Sequence, residues 1–173
     1  MATYTVSILG GEGEQASRLA NRLLEHGHRV IQVIKESKQT AREAGDYVEE
    51  TCPLEACWEA DFIVIGENVS PEPQLIEKIR QVSTQKYLLV CMPATSIREW
   101  EVSQDPEIER KLMQDWEKSL PHSPVVMTYV GNLASFVKGQ DPEAVTWTIR
   151  LFQQLNLPTI ETLQPYTQTN SSN

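Results

Sequence analysis

The feature that most constrains this chain is a run of glycines set between a β-branched stretch and an amphipathic one. Residues 3–9 read Thr-Tyr-Thr-Val-Ser-Ile-Leu, a short segment that predicts a strand. Gly10-Gly11-Glu12-Gly13-Glu14-Gln15-Ala16 follows at once. From Gln15 to Glu25 the apolar residues Leu19, Ala20, Leu23 and Leu24 fall at helical spacing, and Gly27 provides a left-handed stop. Gly11, Gly13 and Ala16 fit the pattern G-x-G-x-x-G/A. The first position makes a tight turn, the second lets backbone approach a pyrophosphate, and the third stays small so that helix and strand pack closely. The helix start then offers free N–H groups and partial positive charge to an anion. A strand before the motif and a helix after it predict a dinucleotide-binding turn, against the alternative of a plain tight turn with no ligand. Glu12 and Glu14 bring negative charge to that turn. Glu14 has a path to solvent, whereas Glu12 stands between the two glycines.

The rest of the chain repeats the alternation. Strands are predicted over 29–34, 62–65, 87–91, 125–129 and 135–137, with minor ones at 47–48 and 159–160. Helices are predicted over 37–44 (short and weak), 53–59, 73–82, 105–118 and 142–155. Several strands are apolar on both faces, as a sheet covered on both sides requires. The expected fold is α/β: a doubly wound, mostly parallel Rossmann-type sheet with helices on both faces. It occupies residues 1–165, and the polar residues 166–173 form a frayed, disordered tail.

The end of the second strand selects the cofactor. An acidic residue there suits the ribose 2′-hydroxyl of NAD, and a basic one suits the 2′-phosphate of NADP. Here the sequence is Ile34-Lys35-Glu36-Ser37-Lys38. Lys35, Ser37 and Lys38 make a phosphate clamp, while Glu36 points toward a ribose hydroxyl. The basic and hydroxyl groups outnumber the acid and favour NADP, with NAD the alternative. Ligand belongs in the crevice outside the carboxyl ends of the strands. That rule nominates Gly66, Glu67, Asn68 and Ser70 after the fourth strand, Pro93, Ala94, Thr95 and Ser96 after the fifth, and Tyr129 and Asn132 after the sixth. Ordinary loop polarity is the competing reading for these positions.

Composition narrows the partners. Fifteen Lys and Arg against 24 Asp and Glu give a net charge of −9, which repels nucleic-acid backbones and anionic lipid. Neither nucleic acid nor membrane is an expected partner. The three cysteines, Cys52, Cys57 and Cys91, match neither a disulfide framework nor zinc-ligand spacing, so no metal site is expected. The N-terminus has no secretory signal pattern, and the expected setting is cytoplasmic. Of the histidines, His26 and His28 fall at the far end of the first helix and His122 in a surface loop, so none is an obvious catalytic group. Trp100, Trp116 and Trp147 read as packing residues, and an exposed Trp100 would point to a homodimer.

Residues 10–20, with the Gly27-His28 pair, resemble the opening of the deazaflavin-dependent NADP reductase family. The likeness continues through Ala60-Asp61-Phe62-Ile63-Val64-Ile65 and returns at Val137-Lys138-Gly139-Gln140-Asp141-Pro142-Glu143-Ala144, covering roughly residues 4–161. It implies a nicotinamide cofactor, with the nucleotide-phosphate arginine of that family falling at Lys35. The same stretches also resemble the N-terminal domain of prephenate and arogenate dehydrogenases. Both families place a Val-Pro pair after the fourth strand, where this chain has Gly66-Glu67-Asn68. The dehydrogenases place a histidine where this chain has Ser70, and a His-Pro pair where it has Thr128-Tyr129. Three readings follow. One is an NADP(H)-dependent oxidoreductase passing hydride to a flavin, a deazaflavin or a small organic substrate. The others are a non-catalytic nucleotide sensor or protein-binding module, and a divergent relative of the dehydrogenases.

Overall fold

The computed structural model describes residues 2–34, 46–92 and 106–161. The predicted helix at 37–44 and the tail at 166–173 lie outside the described residues. In chain order the elements are β1 (Thr5–Leu9), α1 (Glu14–Glu25), β2 (Arg29–Val33), β3 (Tyr47–Glu50), α2 (Pro53–Glu59), β4 (Phe62–Ile65) and α3 (Pro73–Ile79). They continue with β5 (Leu88–Cys91), α4 (Pro106–Ser119), β6 (Val125–Val130), β7 (Ser135–Gly139), α5 (Pro142–Gln154) and β8 (Thr159–Glu161).

One sheet of eight strands runs in the order β3-β2-β1-β4-β5-β6-β7-β8 among the described residues. Every pairing is parallel except β6 with β7. The exception follows from the short hairpin Gly131–Ala134, closed by a 3.2 Å bond from the Gly131 N–H to the Ala134 carbonyl. A connection that short permits only antiparallel neighbours.

β4 and β5 are buried along their whole length, with Phe62, Ile63, Val64, Ile65, Leu88, Leu89, Val90 and Cys91 all out of solvent. Alternate residues feed two cores. Val6, Ile8, Phe62 and Val64 pack with Leu19 and Leu23 of α1 and with Leu151 and Phe152 of α5. Leu9, Ile63, Ile65 and Val90 pack with Cys57 of α2, Ile76 and Ile79 of α3, and Met113 and Trp116 of α4. The doubly wound sandwich expected from the sequence is therefore present. Trp116 is fully buried, and Trp147 packs on Tyr4, Phe62 and Tyr87 at ring separations of 5.6, 4.9 and 5.0 Å. Trp100 lies outside the described residues.

α3 is shorter than the predicted 73–82. The Ser83 and Thr84 hydroxyls donate to the Arg80 carbonyl, and Gln85 turns to φ +63°. Side-chain hydroxyls thus take over a carbonyl that another helical turn would have used. Val82 remains buried in the coil that follows.

His28 is buried just ahead of β2, at the sheet end opposite the carboxyl termini of the strands. Its Nδ1 accepts the Tyr4 N–H at 3.1 Å, and its ring stacks on that of Tyr4. Burial, with His26 nearby, lowers its pKa below the ordinary 6.5. The unfolded chain therefore takes up this proton at a higher pH than the folded one. Stability should fall as pH drops below about 6.5, and His28→Gln, measured by urea unfolding from pH 7 to 5, should flatten that slope. Phe62→Ala, which empties the contact between β4 and Trp147, should cost about 3–5 kcal/mol in the same assay.

Candidate functional site

The strand order reverses between β1 and β4, and loops at the carboxyl ends of a parallel sheet diverge at such a point. The glycine turn lies there. Gly10 adopts φ +72°, in the left-handed region, and a Cβ on it would sit 2.2 Å from Val69 Cγ2. A Cβ on Gly66 would meet the Gly10 carbonyl oxygen at 2.2 Å, and the Gly66 N–H donates to Leu9 at 2.7 Å. The end of β4 and the turn after β1 thus touch backbone to backbone. Gly66, predicted only as a crevice residue, is what permits this approach.

α1 begins at Glu14 with Gly13 as its N-cap, and Gly13 has no side chain to offer the first free N–H groups. Another element supplies the acceptor. Glu67 Oε1 accepts the Gln15 backbone N–H at 2.9 Å, and its Oε2 accepts the Gln15 side-chain amide at 3.1 Å. A Cβ on Gly13 would lie 1.9 Å from Glu67 Oε1. Ala16 is fully buried beneath. The sequence marks Glu12 as the acid in conflict with an anion at this turn. In the fold Glu12 is exposed, and the acid that meets the helix amide is Glu67. A negative group is favourable at that position, because it faces the positive end of the helix dipole and accepts an otherwise unpaired N–H.

Gln15 carries this contact deeper. Its side chain is buried, donates to the Met92 carbonyl at 2.5 Å and accepts the Val130 N–H at 3.2 Å. Arg18, one turn on, donates to the Val130 carbonyl. The start of α1 is therefore fastened to the ends of β4, β5 and β6. Cys91, at the end of β5, has its pKa pushed up to about 12, chiefly by burial. Its bond with Thr128 works against the rise and the nearby Glu67 charge adds to it. The Cys91 thiol stays protonated and serves as a packing group.

Beside the turn is a cleft of about 290 Å³. Gly10, Gly11 and Glu12 form one side, and Gln32, Val33 and Ile34 at the end of β2 form another. Asn68, Val69 and Leu75 close it, with Thr51, Pro53 and Lys78 on the rim. The Gln32 side chain lies against Gly11, where a Cβ would come within 1.5 Å of its Nε2. Lys78 is the one cation among the described lining residues. Of the predicted residues, the structure gathers Gly10, Gly11, Glu12, Gly13, Gln15, Gly66, Glu67 and Asn68 around this turn and cleft. Glu14 is exposed on the first turn of α1. Lys35, Glu36, Ser37 and Lys38 lie outside the described residues, as do Pro93, Ala94, Thr95 and Ser96.

Sequence reasoning did not find Gln32, Thr51, Val69, Leu75 or Lys78. Leu75 and Lys78 stand three apart on α3 and so share a face. Only the docking of α3 turns that face to the cleft. Thr128 is buried, and its hydroxyl donates to the Val90 carbonyl at 3.4 Å. Tyr129 packs on Phe136, and Asn132 is exposed in the β6–β7 hairpin.

Residues 5–94 match the family model described as NADP oxidoreductase, coenzyme F420-dependent. No curated protein sequence matches the chain. Among solved structures the fold is similar to a pyrroline carboxylate reductase from Plasmodium falciparum with NADP bound. The TM-score is 0.62 at 11% identity, over 93% of this chain and 58% of that one. It is also similar to an imine reductase variant from Myxococcus stipitatus in complex with NAD+, with TM-score 0.60 and 13% identity over 92% and 55%. An imine reductase from Bacillus cereus gives TM-score 0.64 and 14% identity over 91% and 54%. The chain thus spans little more than half the length of these reductases.

The Gln15 network makes a direct prediction. Gln15→Ala leaves the buried Val130 N–H and Met92 carbonyl without partners, at about 1–3 kcal/mol each. The variant should lose about 2–6 kcal/mol of unfolding free energy in urea titration, where an exposed-site control such as Glu14→Ala should lose less than about 0.5 kcal/mol.

Proposed function

We propose that this chain, which belongs to the coenzyme F420-dependent NADP oxidoreductase family, binds a nicotinamide dinucleotide across the carboxyl ends of β1, β2 and β4. The single observation that carries the reading is the cleft itself. A glycine turn, the end of β2 and the face of α3 converge at the point where the strand order reverses. Val33, Ile34, Val69 and Leu75 offer apolar surface of the kind an adenine ring covers. Lys78 and the segment Lys35–Lys38 are the groups that would meet phosphate and ribose, with NADP preferred over NAD on the charges of Lys35 and Lys38.

The fit is good at the adenosine end. At the diphosphate end the Glu67 carboxylate already accepts the Gln15 N–H. When bound, the nicotinamide supplies or accepts a hydride. This chain's own contribution is to bind, align and shield the reacting ring from water, which is most of what a hydride transfer asks of a protein. The acceptor in this reading is a flavin, a deazaflavin or a small organic substrate. The crevice beyond Gly66–Asn68 and Pro93–Thr95 would hold the nicotinamide side. A homodimer is part of the same proposal. No helix among the described residues is long and apolar enough to cross a membrane. A cytoplasmic setting is part of the same proposal.

The second reading is a non-catalytic module that senses a nucleotide or engages a partner protein. The Glu67–Gln15 contact favours it, since an acid on the phosphate amide weakens cofactor binding. Titration of the protein with NADPH and NADH, followed by nicotinamide fluorescence, tests the cofactor reading, and hydride transfer from bound NADPH to a flavin or deazaflavin separates it from the second. Micromolar binding that prefers NADPH is the expected result. Lys35→Ala with Lys38→Ala should weaken NADPH by about tenfold or more and NADH by less than about threefold, the cost of losing charge-assisted phosphate contacts. Binding of neither nucleotide by the folded protein would overturn the cofactor reading.

A further inference from the structure

We infer that Glu67 is a specificity-determining residue, holding with its own carboxylate the position at which the glycine turn would meet a dinucleotide's diphosphate. This inference rests on the cofactor reading above and deepens it.

The free N–H groups of α1 and its dipole make one anion position at its start. In this protein the acceptor at the second helical residue is Glu67 Oε1, 2.9 Å from the Gln15 nitrogen. The second carboxylate oxygen is held as well, by the Gln15 side-chain amide at 3.1 Å. That amide is in turn fixed on the Met92 carbonyl. Glu67 also lies flat over Gly13, where a Cβ would fall 1.9 Å from its Oε1 and 2.6 Å from its carboxyl carbon. The space that a glycine leaves for a phosphate's approach is therefore filled by a side chain from the β4 loop. Gly66 brings that loop in, because only a residue without Cβ fits against the Gly10 carbonyl.

The consequence is selective. A ligand that uses only the adenosine end of the cleft, against Val33, Val69 and Leu75, leaves the Glu67 contact intact. A ligand with a 5′-diphosphate must displace the carboxylate and also meets its charge, since both groups are anionic and seek one N–H. Glu67 thus lowers the affinity for whole dinucleotides relative to nucleotides that lack the diphosphate. Glu12 and Glu14, exposed at the same turn, add negative charge without touching the amide.

The test compares two probes, NADPH and adenosine 2′-monophosphate, binding to the full chain by calorimetry. Three proteins are measured: wild type, Glu67→Gln and Glu67→Ala. Gln keeps an acceptor for the Gln15 N–H but removes the charge, which guards against a misfolded Ala variant. NADPH should tighten by about tenfold or more in Glu67→Ala and by a smaller factor in Glu67→Gln, as expected for removal of a charge-assisted competitor. Adenosine 2′-monophosphate should stay within about twofold in all three. NADPH binding that is unchanged or weaker in both variants, with the monophosphate still bound, would overturn the role of Glu67 and leave the cofactor reading standing. No binding of either probe by any of the three folded proteins would overturn both.

Discussion

The carboxyl edge of the sheet is organised around one buried amide. Gln15 sits in the first turn of α1, yet its partners come from three other places: Glu67 after β4, Met92 after β5 and Val130 at the end of β6. A buried primary amide is costly unless its donors and acceptor are all satisfied, and here each is. Hydrogen bonds in a low-dielectric setting also reinforce one another. The interaction therefore makes the glycine turn, the β4 loop and the ends of two further strands a single rigid unit. The position of Glu67, the closure over Gly13 and the shape of the neighbouring cleft all depend on it.

The same edge shows how a fold's default chemistry can be met from within the chain. A helix start after a glycine turn is an anion site by construction, because its N–H groups have no helical partner. Evolution can leave those groups for a ligand or satisfy them with a side chain. Here the Gly66-Glu67 step does the second. The turn remains geometrically a dinucleotide turn, with Gly10 left-handed and Ala16 buried. Its anion position is nonetheless occupied by an internal acid. In the adjacent cleft Glu12 is the one acid among the described lining residues, and Lys78 adds a positive charge there.

The core of the molecule is divided by chemistry as much as by layers. The face under α1 and α5 gathers aromatic rings, with Trp147 in contact with Tyr4, Phe62 and Tyr87. The face under α2, α3 and α4 is aliphatic and sulfur-rich, with Cys57, Met92, Met113 and Met127 around Trp116. Burial raises the Cys57 thiol to about 11, so it, like Cys91, behaves as a small apolar residue and not as a nucleophile. The ion pair of Lys138 with Glu109, 3.4 Å apart and largely out of solvent, ties α4 to β7 across the edge of that second core.

Among the described residues, the sequence by itself determined the order of strands and helices, because each is written locally. Doubly apolar runs such as Phe62–Ile65, a helical period from Gln15 to Glu25 and glycine or proline punctuation fix an element without reference to its neighbours. It also marked the glycine turn, since the small residues needed there are the motif. It mislaid the end of α3, where the Ser83 and Thr84 hydroxyls compete for a carbonyl in a way that periodicity does not register. Only the tertiary structure decided which acid meets the helix start. Glu12 is next to the amide in sequence, but Glu67, 52 residues away, is the one that reaches it. Likewise Leu75 and Lys78 join the cleft because α3 docks with that face inward, and Gln15 becomes a crosslink because three strand ends converge on it. Such assignments depend on how separate elements pack, and a linear pattern carries the propensity of each element but not the distance between them.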